Sequence, residues 1–135
     1  MQKTIILTQD QKQFLLEHAK KMAPAESCAL LFGHEKSGTS TVKEVFLTQN
    51  IEDSPVNFTI SNEELLLGYK QAEKNGLDVI GIFHSHPHSE ATPSSTDREF
   101  MTINPVVWMI FSNKENQLNA FVLESEIIPV MIKTV

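Results

Sequence analysis

Residues 78–97 read Asp-Val-Ile-Gly-Ile-Phe-His-Ser-His-Pro-His-Ser-Glu-Ala-Thr-Pro-Ser-Ser-Thr-Asp, and the rest of the chain is best read outward from them. Positions 78–84 are apolar and β-branched enough to form a buried strand. His84 and His86 stand two apart at its end, and a strand turns residues i and i+2 to the same face, so both imidazoles are aimed at one point. Pro87 ends the ladder, and 87–95, polar with two prolines, reads as a loop. Thr96 with Glu99 three residues later has the form of a capping box that starts a short helix carrying Asp97 in its first turn. Ten residues separate His86 from Asp97, room for the chain to swing away and return a carboxylate to the histidines. Two histidines, one carboxylate and an open fourth position describe a catalytic zinc site. A structural site is usually closed by four protein ligands, which a chain with one cysteine is poorly equipped to supply. The bland alternative is an exposed polar loop.

Upstream, Thr4–Leu7 is β-prone. Thr8 and Gln11 form a capping box for an amphipathic helix over about 9–22, marked by Phe14, Leu15, Ala19 and Met22 at helical spacing and stopped by Ala23-Pro24. Strands are expected at 27–32, 41–47 and 58–60, with a turn centred on Ser37-Gly38. Ser61 with Glu64 opens a second helix through Leu65, Leu66, Tyr69 and Ala72, with Gly76 just past its end. Strands at 106–111, 118–123 and 127–132 follow. The predicted order, β-α-β-β-β-α-β-α-β-β-β, implies an α/β (α+β) architecture: a single mixed β-sheet flanked by helices, in one domain over residues 1–135.

The bulk composition narrows the function. The chain has 135 residues, of which 41% are hydrophobic and 21% charged, ordinary for a globular domain. A net charge of −6 with no basic cluster beyond Lys20-Lys21 argues against nucleic acid as a partner. No apolar run approaches the ~20 residues of a membrane span, and the N-terminal apolar run is too short for a signal peptide. With Cys28 as its only cysteine, the chain is expected in a reducing cytoplasm.

Two blocks carry a family resemblance. His84-Ser85-His86-Pro87, six residues, Ser94, two residues and Asp97 resemble the His-x-His-Pro-x6-Ser-x2-Asp signature of the JAMM metalloproteases. Pro24-Ala25-Glu26-Ser27-Cys28-Ala29-Leu30-Leu31-Phe32-Gly33 is similar to that family's Pro-x-Glu-x-Cys-Gly-x-Leu-x-Gly strand, with Ala29 where the family usually has Gly. The resemblance covers nearly the whole chain and implies the JAB/MPN (cytidine-deaminase-like) fold. It implies one catalytic Zn2+ held by His84, His86 and Asp97. Glu26 becomes the base that takes a proton from the attacking water and passes it to the leaving amine, and Ser94 the donor to the substrate oxyanion. Spacing alone could not have tied Glu26, 58 positions before His84, to the site.

The resemblance further implies an isopeptidase that cuts after the C-terminal Gly-Gly of a ubiquitin-like protein, in the short prokaryotic style. The modifier's tail could add as a strand against 56–60. Three rivals stand beside this: a peptidase that processes a sulfur-carrier protein, the RadC-like branch of the fold, and a non-catalytic scaffold. The block around Glu26 and the acidic charge argue against the second. The filled ligand positions argue against the third. A zinc deaminase would need Pro-Cys-x-x-Cys, which is absent. Cys28 is expected to be a buried hydrophobe, not a nucleophile. His18 and His34 read as ordinary histidines, His88 as a residue bordering the cleft with its ring turned away, and Trp108 as core. The sequence does not disclose the oligomeric state, though an exposed strand edge could pair two copies.

Overall fold

The computed structural model describes residues 2–135. Thr8 accepts from Gln11 N–H and Gln11 returns a bond to Thr8 N–H, the predicted capping box. α1 accordingly runs Gln9–Met22 and buries Leu15 and Ala19. β1 (Thr4–Leu7) precedes it, and β2 (Cys28–Lys36) and β3 (Thr39–Thr48) follow as one hairpin. Both strands are longer than expected because the turn is tight: Ser37 and Gly38 take φ of 53° and 84°, the left-handed pair that matches strand twist.

α2 (Asn62–Lys74) is capped by Ser61, whose side chain accepts from Glu64 N–H, and Gly76 follows its C-cap at φ 68°. The expected reciprocal bond from Glu64 is absent; its carboxylate accepts from Gln49 N–H at 2.8 Å, tying the helix to the end of β3. β4 (Asp78–His86), α3 (Ser95–Ile103), β5 (Val107–Ser112), β6 (Gln117–Leu123) and β7 (Ile127–Thr134) complete the chain. The strand expected at 58–60 is not formed. Thr59 N–H donates to Asn50 Oδ1 and Thr59 O accepts from Ile51 N–H, so the segment is held by the 50–51 stretch in place of a strand of the ring.

The seven strands close into a ring in the order β1-β3-β2-β4-β5-β6-β7, with β1 returning to β7. The sheet is mixed: β4–β5, β1–β3 and β1–β7 are parallel and the other pairs antiparallel. Closure leaves the described strands no open edge for pairing two copies.

Alternation along β2 sorts the core. Ala29 and Leu31 join Ile5, Leu15, Ala19, Phe83 and Met109 in one cluster with α1. Leu30 and Phe32 join Ala72, Ile82, Met101 and Trp108 in the other, beneath α2 and α3. Each fully buried Leu or Phe side chain contributes about 1.5–3 kcal/mol. Two glycines permit the packing. A Cβ on Gly33 would meet Thr41 O at 1.9 Å, where β2 shifts register against β3. One on Gly68 would meet Leu30 Cδ1 at 2.7 Å, where α2 lies on β2. Among the described residues no helix is long and apolar enough to cross a membrane.

Candidate metal centre

The ring carries His84 and His86 on the face that Ile82 and Trp108 share, at the end of β4. Their Nε2 atoms lie 3.0 Å apart, and Asp97 Oδ2 lies 3.2 Å from the first and 3.1 Å from the second. All three residues are buried. α3 delivers the carboxylate, with one correction to its start. Ser94, not Thr96, is the N-cap, and Asp97, not Glu99, completes the capping box. Ser94 Oγ accepts from Asp97 N–H at 3.0 Å, and Ser94 N–H donates to Asp97 Oδ2 at 2.9 Å. The capping box thus fixes the aspartate rotamer, and Ser94 keeps its hydroxyl proton free for another acceptor.

Glu26 lies just before β2 and is drawn to the site by its neighbour. Ser27 N–H donates to Ser85 Oγ at 2.8 Å, the two hydroxyls lie 2.9 Å apart, and Ser85 N–H donates to Ser27 O at 3.1 Å. Ser85 stands between the two histidines, so this clamp registers Glu26 against both. A Glu26 carboxylate oxygen and one nitrogen from each of His84 and His86 lie within 4.8 Å of one another. Glu26 is 3% exposed, and its Oε1 has no hydrogen-bond partner.

The electrostatics follow. Burial pushes the Glu26 carboxyl up to about 8; an imidazolium at His86 opposes this, and the Asp97 and Glu52 carboxylates reinforce it. Burial drives His84 down against the pull of Asp97. His86 feels the same burial, but Asp97, the Glu90 carbonyl and Glu26 together raise it. Burial disfavours the Asp97 anion, yet hydrogen bonds from both histidines hold it well below the usual carboxylate range.

The donor set fits a cation. A tetrahedral metal with bonds of about 2.0–2.1 Å needs donor atoms about 3.3 Å apart, close to the observed triangle. His86 Nδ1 lies 2.7 Å from Glu90 O, an acceptor only, so Nδ1 carries a proton, and a cation that displaced the Nε2 proton would meet the Nε2 lone pair of a neutral ring. Two ring nitrogens and a carboxylate oxygen this close need shared protons or one shared cation. Glu26 is the second carboxylate near the pair, but Asp97 Oδ2 lies within 3.2 Å of both Nε2 atoms, which makes it the better candidate for a third ligand atom.

His84 departs from the usual pattern: its Nδ1 has no partner. Its ring is held by stacking instead. Phe58 lies over it at 4.8 Å and 26°, and Trp108 meets it edge-on at 5.7 Å and 82°. The loop after His86 is anchored from β5 and β6: Ser112 Oγ donates to Ser89 O at 2.7 Å and Asn119 Nδ2 to Ala91 O at 3.0 Å.

The other candidates stand apart. Cys28 is buried, accepts from Thr48 Oγ1 at 3.2 Å, and has its thiol pushed up to about 11 by burial, so it is no nucleophile. His34 lies in β2 near Asp78 at 3.8 Å, and His88 is exposed. His18 is half-buried with its pKa lowered by desolvation. Trp108 is core and donates to Asn104 O at 3.1 Å. Sequence reasoning missed the Ser27–Ser85 clamp, the Phe58 stack and the loop anchors. Alternation in β4 could have flagged Ser85; the others had no local signal.

Comparison with known proteins agrees. Residues 8–124 match the family model described as prokaryotic homologs of the JAB domain. A desampylase from Pyrococcus furiosus is 34% identical over 123 residues, covering 91% of this chain and 84% of its own length. A desampylase from Haloferax volcanii is also 34% identical, over 78% of each chain. A CysO-cysteine peptidase from Mycobacterium tuberculosis is 26% identical over 82% of this chain and 75% of its own. The solution structure of a Desulfitobacterium hafniense protein superposes with a TM-score of 0.88 at 30% identity, covering 98% of this chain and 93% of the other. The fold, the two sequence blocks and these likenesses converge: the chain belongs to the prokaryotic JAB-domain family.

Proposed function

We propose that this chain is a zinc-dependent isopeptidase that hydrolyses the bond after the C-terminal Gly-Gly of a ubiquitin-like modifier. The observation that carries the reading is the convergence of His84, His86 and Asp97 beside a buried, unpartnered Glu26 carboxyl. His84 Nε2, His86 Nε2 and Asp97 Oδ2 hold the metal. Zinc supplies Lewis acidity there, lowering the pKa of water and polarising a carbonyl. Glu26 takes the proton of the attacking water. Its burial beside the two histidines places the carboxyl where it can take that proton and pass it on to the leaving amine. Ser94 donates its hydroxyl proton to the developing oxyanion.

The region beside the site supports an extended Gly-Gly tail. Thr59 spends both main-chain groups on residues 50 and 51, whereas Phe58 and Ile60 make no main-chain hydrogen bond and leave a strand-like edge. An apolar groove lined by Phe58, Ile60, Leu65, Ile82, Phe100 and Trp108 runs alongside. A tail pairing with 58–60 would pass His84 and need clearance only for glycine at the metal. The lone thiol fits a reducing compartment such as the cytoplasm.

The test is cleavage of an isopeptide-linked ubiquitin-like conjugate by zinc-loaded protein, with chelator and Glu26→Gln as controls. Cleavage after Gly-Gly abolished by both supports the reading, and turnover that survives the chelator refutes it. Likeness to a CysO-cysteine peptidase favours one second reading, removal of a C-terminal amino acid from a sulfur-carrier protein. A modifier extended by one C-terminal residue separates the two: release of that residue without isopeptide cleavage selects the second.

A further inference from the structure

Glu26 is anchored by a loop. Its N–H donates to Ser54 O at 2.7 Å and its carbonyl accepts from Asn50 Nδ2 at 3.0 Å, both in the β3–α2 connection. Among the described residues the buried carboxyl Oε1 has no hydrogen-bond partner, so the polar contacts that place Glu26 are those to its main chain. Asn50 spends its whole amide on this connection. Nδ2 also donates to Asn57 O at 3.0 Å, while Oδ1 accepts from Glu52 N–H and Thr59 N–H, each at 3.1 Å. Thr59 follows Phe58, the residue stacked on His84. One side chain therefore joins the two arms of the loop to the Glu26 main chain on one side and to the ring covering His84 on the other.

We propose that Asn50 is a positioning residue for the hydrolysis: its amide fixes the Glu26 carboxyl relative to His84 and His86. This rests on the assignment of Glu26 as the base. A base displaced by about 1 Å from its proton can cost about a hundredfold in rate, and among the described residues the carboxyl Oε1 has no hydrogen bond of its own to hold it.

Asn50→Ala removes the whole amide. Asn50→Asp keeps the two bonds accepted from Glu52 and Thr59 and loses both donors, so it decides the matter should the alanine variant not fold. In the zinc-loaded Asn50→Asp protein, kcat falls about ten- to hundredfold with KM within about twofold, at unchanged zinc stoichiometry. In the metal-free protein the Glu26 amide loses about tenfold or more of its protection from hydrogen exchange. In a Glu26→Gln background the same substitution causes no further loss of the residual rate, because two groups that act as a unit are not additive. An unchanged kcat, a loss carried by KM alone, unchanged exchange at Glu26, or a full second loss in the Glu26→Gln background overturns the proposal. Wild-type turnover by Glu26→Gln overturns the base assignment and this inference with it. An inactive Glu26→Gln beside a fully active Asn50→Asp removes only the role of Asn50.

Discussion

Without a metal ion the fold should weaken as the pH rises, and Glu26→Gln should cure much of that weakness. The Glu26 carboxyl is raised by burial from 4.5 to about 8. Between those values the unfolded chain has released a proton that the native state still holds, so stability falls as pH rises through the window. Relative to a side chain that does not ionise, the group destabilises the metal-free fold by about 1 kcal/mol at pH 5 and about 4 kcal/mol at pH 8. His84 and His86 titrate nearby but are common to both proteins, so the comparison with Glu26→Gln largely removes them. The assay is urea denaturation of chelator-treated wild type and Glu26→Gln at pH 5 and pH 8. The stability gap should widen in favour of the variant by about 3 kcal/mol. A gap that does not change with pH would mean that Glu26 is not a buried proton-holding group, and the account of the base would fall with it.

The remaining predictions test other parts of the site and fold. Asp97→Ala removes one of the three proposed ligand atoms and the capping-box partner of Ser94; zinc affinity measured by competition should fall by at least about a hundredfold, while Glu26→Gln should retain the metal. Ser94→Ala should cost about 1 kcal/mol of stability through the lost N-cap and about a hundredfold or more in kcat through the lost oxyanion donor; a fall in stability alone would remove its catalytic role. Gly33→Ala drives a methyl into Thr41 O and should destabilise the protein by about 3 kcal/mol or more in thermal or denaturant unfolding, since main chain must move.

How far the sequence disclosed this molecule depended on the range of each signal. α1 was legible to the residue, because Thr8 and Gln11 cap it through local hydrogen bonds and Ala23-Pro24 interrupts it nearby. His84 and His86 were legible because strand periodicity is local. α3 begins two residues earlier than expected, since Ser94/Asp97 and Thr96/Glu99 both have capping-pair form and the first, whose aspartate also meets the two histidines, is the one used. Residues 58–60 alternate like a strand, but what holds them is the Asn50 side chain and one main-chain bond from Ile51, which no periodicity reports. The approach of Glu26 to the histidines rests on the pairing of Ser27 with Ser85, a long-range contact; only family resemblance anticipated it. Ring closure was invisible for the same reason, since it joins strands from opposite ends of the sequence.

That closure has a mechanical consequence. β1 and β7 lie parallel, with Thr4 opposite Met131 and Leu7 opposite Thr134, and bonds from Met131 N–H to Lys3 O and from Val135 N–H to Leu7 O lock the same seam. Tension applied through the two flanks of the chain draws these strands in opposite directions along their length. The hydrogen bonds across the seam are then loaded in shear, all at once, and cannot be unzipped one by one. An unfolding machine or an optical trap pulling on both flanks should meet its highest resistance at this seam, before any force reaches β4 and the two histidines it carries.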